Sequence, residues 1–277
     1  MDIRFDQSTI TGYALSGIIA IAIAAAAVIV WRVRTKEKIV PIAVGALTFI
    51  VFAEVLKAIP VIPLFTLDNA VSRAINSTPW LYYLVAGLLA GIFEETGRYA
   101  AFRFVLKNHT ERPTAISYGI GHGAIEAMIL SIGTLSVAAI GASVNNGMLP
   151  ALMANIQEDM QETYLAQLAD YASKSFGSTM LWIPERIAAL FLQIALSVLV
   201  FRAVRDGKFV LYPIAMGLHA LIDFMCVFYK VAPAAFEIGF VSVSLVIFIV
   251  VMRTVYADEP SGDGHEKKND TGIYEAC

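Results

Sequence analysis

Seven stretches of about 20 mostly apolar residues follow one another along the chain, at approximately 10–31, 39–59, 80–104, 114–140, 179–201, 209–230 and 234–253. A run of that length crosses the hydrocarbon core of a bilayer as a helix. With no water there, each segment must satisfy its own backbone N–H and C=O groups, which helices do. The pattern therefore predicts an all-α fold: a polytopic membrane helical bundle of about seven transmembrane helices. Composition agrees, with 58% of the 277 residues hydrophobic and only 16% charged, against about a quarter charged in soluble domains. That balance excludes a disordered chain, a basic nucleic-acid-binding domain and an ordinary cytosolic enzyme, so the expected surroundings are a lipid bilayer and no nucleic acid. Two cysteines, Cys226 and Cys277, supply neither a disulfide framework nor a zinc-finger spacing.

Charge distribution sets the orientation. Basic residues in short loops stay on the cytoplasmic side. With the N-terminus out and the C-terminus in, cytoplasmic segments hold Arg32, Arg34, Lys36, Lys38, Arg103, Lys107, Arg112, Arg202, Arg205, Lys208, Arg253, Lys267 and Lys268. External segments hold only Arg4, Arg73, Lys174 and Lys230. No basic region precedes the first span, so it reads as an uncleaved helix of a bacterial-type plasma membrane protein and not as a signal peptide. Residues 1–257 form a single integral membrane domain, and the Gly-rich, charged segment 258–277 reads as a disordered cytoplasmic tail. Between the fourth and fifth spans, residues 148–172 repeat apolar side chains at helical spacing, from Leu149 and Leu152 to Leu168 and Tyr171. This predicts an external interfacial helix, or a lid over a cavity beneath it.

An ionisable group at the bilayer centre costs at least ~2.5–3.5 kcal/mol, so each one needs a reason. Here they cluster. The third span carries Glu94, Glu95 and Arg98 (FEETGRYAAFRF), the fourth His122 and Glu126 (GIGHGAIEAM), the fifth Glu185 and Arg186 (WIPERIAAL), and the sixth His219 and Asp223 (GLHALIDF). Glu94 and Arg98, His122 and Glu126, and His219 and Asp223 are each four apart, so each pair shares a helix face. Lipid cannot solvate such faces, so the helices must turn them toward one another. Gly87, Gly91, Gly97, Gly119, Gly121 and Gly123 permit close backbone approach there. At ~1.5 Å per residue, Glu94, His122 and His219 lie about 15, 12 and 15 Å from the cytoplasmic ends of their spans, nearly one level. Five carboxylates against two arginines leave a surplus of three negative charges if all are ionised, which demands protons, a cation or water. Glu185 and Arg186 read as supports, with Arg186 neutralising Glu126 or Glu95. Glu54 and Lys57, three apart, read as a plain ion pair near the outer end of the second span.

A carboxylate with two histidines suits the activation of water. Glu94 can take its proton, a histidine can hold or shuttle it, and groups opposite can stabilise an oxyanion. A metal version is equally easy to draw, with His122, His219 and Glu94 as the ligands of a zinc ion.

These four motifs, in this order and at these intervals from about Leu81 to Phe224, resemble those of the YhfC family of intramembrane proteases. That family is similar in turn to the type II CAAX prenyl protease and bacteriocin-processing superfamily. The resemblance implies a membrane-embedded peptide or protein substrate, Glu94 as general base and His122 as its partner in activating water. It implies an oxyanion site at His219 and Asp223, supported by Glu95 and Arg98, and an aromatic position matched by Tyr118. Two features depart from the superfamily pattern: Arg98 sits closer to the glutamate pair, and Asp223 stands where the relatives carry asparagine. An ionised Asp223 cannot donate to an oxyanion.

The expectation is thus an intramembrane endopeptidase, glutamate-type or metal-assisted. The rivals are a proton- or cation-coupled transporter using the same cluster as a relay, and an inactive binding or assembly factor.

Overall fold

The computed structural model describes residues 3–229 and 231–257, so the tail expected at 258–277 lies outside the described residues. Twelve α-helices and short π or 3₁₀ extensions make up the described chain, with no strand among the described residues. In order they are α1 (Gln7–Thr35), α2 (Ile39–Phe49), α3 (Ala58–Val61), α4 (Ala70–Ser77), α5 (Pro79–Ala100), α6 (Pro113–Asn145), α7 (Leu149–Met153), α8 (Glu158–Ala172), α9 (Phe176–Met180), α10 (Trp182–Arg205), α11 (Leu211–Phe224) and α12 (Pro233–Val251). Six helical segments are long and apolar enough to cross a membrane. A seventh long helix, α5, has the length but carries Glu94, Glu95 and Arg98, which dilute its hydropathy.

Local chemistry marks the ends. Proline occupies the first helical positions of α5, α6 and α12, where no N–H is needed. α1 stops at Lys36, whose left-handed backbone (φ 57°) returns its N–H to the Arg32 carbonyl. α4 starts with a reciprocal capping box between Asn69 and Ser72.

α10 is the central post. Its side chains are buried almost without interruption from Ala188 to Ala203, as expected of a helix apolar on every side. It packs on α6, α11 and α12, while α1 and α2 lie along α6, and α5 runs against α11. Helices in lipid gain nothing from leaving water and must associate by close fit and polar contacts. Both occur here. The Trp31 indole N–H donates to the Ser117 hydroxyl at 2.8 Å, tying α1 to α6. At Gly91 on α5, a Cβ would stand 2.6 Å from the Met216 carbonyl oxygen, so only glycine admits α11 this closely.

The single helix expected over 148–172 is two. After α7 the chain turns through 154–157 and restarts as α8 at Gln157, whose extended backbone precedes Glu158 and Asp159 in the first turn. Acidic residues there complement the helix dipole, so the sequence favours a new start at a point where apolar periodicity alone runs through. α8 does not lie free. Leu168 is buried in a cluster with Phe5, Ile10, Ala138 and Val144, and the Thr9 hydroxyl donates to the Lys174 carbonyl at 2.6 Å.

Candidate active site

Four helices bring the polar faces together as their spacing required. Glu94 and Glu95 are adjacent on α5, about 100° apart around it, so they address different neighbours. Glu94 Oε2 lies 3.2 Å from His122 Nε2 on α6 and 3.8 Å from His219 Nε2 on α11. Glu95 Oε1 lies 2.8 Å from His219 Nδ1, and its Oε2 lies 3.0 Å from Arg98 Nε. Glu95, Arg98 and His122 are fully buried. Asp223 Oδ2 stands 3.9 Å from His219 Nε2 and is more accessible, at the edge of the group. Tyr118 stacks at a tilt 6.1 Å from His122, and the Arg98 guanidinium lies 5.7 Å over the Tyr118 ring.

The pairing expected of Lys57 is corrected. Its ammonium does not serve Glu54, which is exposed; it lies 3.4 Å from Glu94 Oε1. The cause is backbone winding. Beyond α2, residues Ile50–Leu56 form a π-helix, and the Lys57 N–H reaches back five residues to the Phe52 carbonyl. The rule that residues three apart share a face holds for 3.6 residues per turn and fails in this wider turn. The same winding lays Phe52 against α5 at Gly97, where a Cβ would fall 2.6 Å from its ring.

Two further residues escape a reading based on charge. Gln193 on α10 accepts from Arg98 Nη2 at 2.6 Å and donates to Glu126 Oε2 at 2.8 Å, while its carbonyl accepts from Arg98 Nη1 at 2.8 Å. The Ser197 hydroxyl also accepts from Arg98 Nη1. Arg186 pairs with Glu126 at 3.3 Å, the first of the two partners expected for it; the second, Glu95, is taken by Arg98. Glu185 pairs with Arg186 and stands outside the inner group. The result is one buried polar chain, Arg186–Glu126–Gln193–Arg98–Glu95–His219–Glu94–Lys57, with His122 joined at Glu94. Removing one member leaves its partners charged and uncompensated in low dielectric.

The sequence matches the family described as "YhfC intramembrane metalloprotease" over residues 18–249. The chain belongs to that family. It is 31% identical over 227 residues to the "Uncharacterized membrane protein YhfC" of Bacillus subtilis (strain 168), covering 81% of this chain and 86% of the relative. No solved structure matches it. With its apolar helices, this makes the protein an integral, multi-pass membrane protein.

The family description implies a metal. Among the described residues no three of His, Cys, Asp and Glu already surround one point as a metal site. In kind, the donors fit zinc: two imidazole nitrogens and a carboxylate oxygen face one another, and Glu95 holds the far nitrogen of His219. A carboxylate behind a histidine is the arrangement that orients a zinc-binding imidazole.

Proposed function

We propose that the protein is an intramembrane endopeptidase in which Glu94, His122 and His219 activate water against a peptide bond in or beside the bilayer. The observation that carries this is the meeting of Glu94 Oε2 with His122 Nε2 and His219 Nε2, at 3.2 and 3.8 Å, inside a helical bundle. Glu94 takes a proton from water as its oxygen bonds to the scissile carbonyl carbon. It returns the proton to the amine nitrogen as the C–N bond breaks. Lys57 holds the other Glu94 oxygen, leaving Oε2 to the reaction. Glu95 occupies His219 Nδ1 and so turns Nε2 toward the reacting carbonyl, with Asp223 beside it. Zinc, when bound, would be held by His122, His219 and Glu94 and would acidify water and polarise the carbonyl.

The test uses purified protein and a hydrophobic peptide. Glu94→Gln and His219→Ala abolish cleavage, whereas Glu54→Gln leaves it intact; normal turnover in either of the first two variants ends this assignment. Elemental analysis before and after chelation, paired with activity, decides between the zinc-assisted and metal-free forms.

The continuous polar chain from Lys57 to Arg186 favours one second reading, a proton- or cation-coupled transporter. Ion-dependent solute uptake by reconstituted vesicles, without peptide cleavage, would select it.

A further inference from the structure

Toward the end of the bundle where α1 begins lies a cavity of about 510 Å³. It is lined by residues of α1, α5, α6, α10 and α12 and roofed by the end of α8 and the segment after it. Two links run from it toward the Glu94–His122–His219 group. Cys226 in its wall lies three residues beyond Asp223, and Glu185 in its wall pairs with Arg186, the partner of Glu126.

Its carboxylates differ in how they are satisfied. Asp170 is paired with Lys174 at 3.1 Å, and Glu185 with Arg186. Glu237 on α12 has no hydrogen bond or ion pair among the described residues, although it is only 8% exposed and its Oε2 is wholly buried. A buried carboxylate without a partner is unstable unless something completes it. The walls around it offer the tyrosine rings of Tyr13, Tyr83 and Tyr229, whose faces attract cations. One ammonium already sits in this setting: Lys174 Nζ lies 5.8 Å over the Tyr229 ring.

We propose that this cavity is a specificity subsite that takes the ammonium or guanidinium of a basic residue in the peptide substrate, with Glu237 as its acceptor. The proposal rests on the endopeptidase reading and deepens it. An unpaired acid and aromatic walls, linked through Asp223 and Arg186 to the reacting group, suit a long cationic side chain of the peptide. An apolar side chain would leave Glu237 uncompensated.

The experiment separates the two ideas by reading binding apart from turnover. Full-length protein carrying Glu94→Gln is placed in lipid nanodiscs and titrated with fluorescent hydrophobic peptides that differ at one position: lysine, arginine, acetyl-lysine or norleucine. The lysine and arginine peptides are expected to bind about tenfold or more tighter than the neutral pair. Adding Glu237→Gln should erase that preference with the neutral peptides still bound at least as tightly, which also shows that the variant is folded. Glu237→Lys should turn the preference toward a glutamate peptide. Equal binding of all four peptides, or a basic preference that survives Glu237→Gln, overturns the proposal. Wild-type cleavage of these peptides without basic preference removes the subsite alone. Preferential binding without cleavage by the wild type removes the endopeptidase reading and leaves a site for cationic peptides.

Discussion

The inner chamber and the outer cavity both bury carboxylates, yet they treat them in opposite ways. Glu94 meets groups from three other segments of the chain, and Glu95 is held between Arg98 and His219. Glu237, in the wall of the outer cavity, meets none among the described residues. A network in which Glu94, Glu95, Arg98 and His219 each meet more than one partner fixes the position of reacting groups. An unsaturated group instead leaves its interaction energy for whatever arrives. The difference teaches where this molecule is built for precision and where it is built to receive.

The comparison can be broken first at the chemistry. Glu94→Gln keeps the shape and removes the proton acceptor, so turnover should fall by about 10²–10⁴-fold, with some loss of stability because Lys57 loses its counter-charge. An active variant would mean that the chamber's precision serves something else. Next comes the network itself. Arg98→Met leaves Glu95 buried with only His219 and should cost about 3–5 kcal/mol, measured as stability in detergent. Gln193→Leu, which removes the neutral link between Arg98 and Glu126, should cost about 1–3 kcal/mol. The contrast is sharpest at Glu237→Gln, which in the absence of ligand should change stability by less than about 1 kcal/mol, because no hydrogen bond or ion pair is lost. A loss at Glu237 as large as that at Arg98 would show that the two regions are alike after all.

The smallest effect lies outside both regions, at Asp206 beyond the end of α10. Partial burial acts to raise its pKa, but Arg205 and then Arg202 outweigh burial and hold it below the ordinary carboxylate value. Its stabilisation is therefore present above the unfolded pKa of about 3.9 and is lost as pH falls through the lower folded value. Asp206→Asn should cost less than ~1 kcal/mol at neutral pH, a difference that melting curves should show shrinking as pH falls through the lowered folded value.

Much of this architecture was legible in advance, for a physical reason. Lipid forbids unsatisfied backbone and unsolvated charge, so long apolar runs had to be helices, and Glu94, His122 and His219 had to turn inward together. Orders of depth counted along straight helices sufficed to place them on one level. Gln193 and Ser197 carry no charge to mark them, and a neutral polar side chain in an apolar helix needs a partner without naming which one. Glu237 was passed over because it stands alone in its span, without a second charge four residues away to mark a face. The break between α7 and α8 was hidden by apolar periodicity that continues across it. The partner of Lys57 depends on how tightly the chain winds ahead of it, which residue spacing does not record.

That winding has a consequence for how the family can vary. A wide turn holds one residue more than a regular one, so the segment Ile50–Leu56 acts as a phase adjuster for everything downstream on its helix. Deleting a single residue there would swing the Lys57 side chain by about 100°, toward acyl chains, without altering any residue that touches Glu94. Tolerance to insertions and deletions along this helix should therefore follow angle, not length.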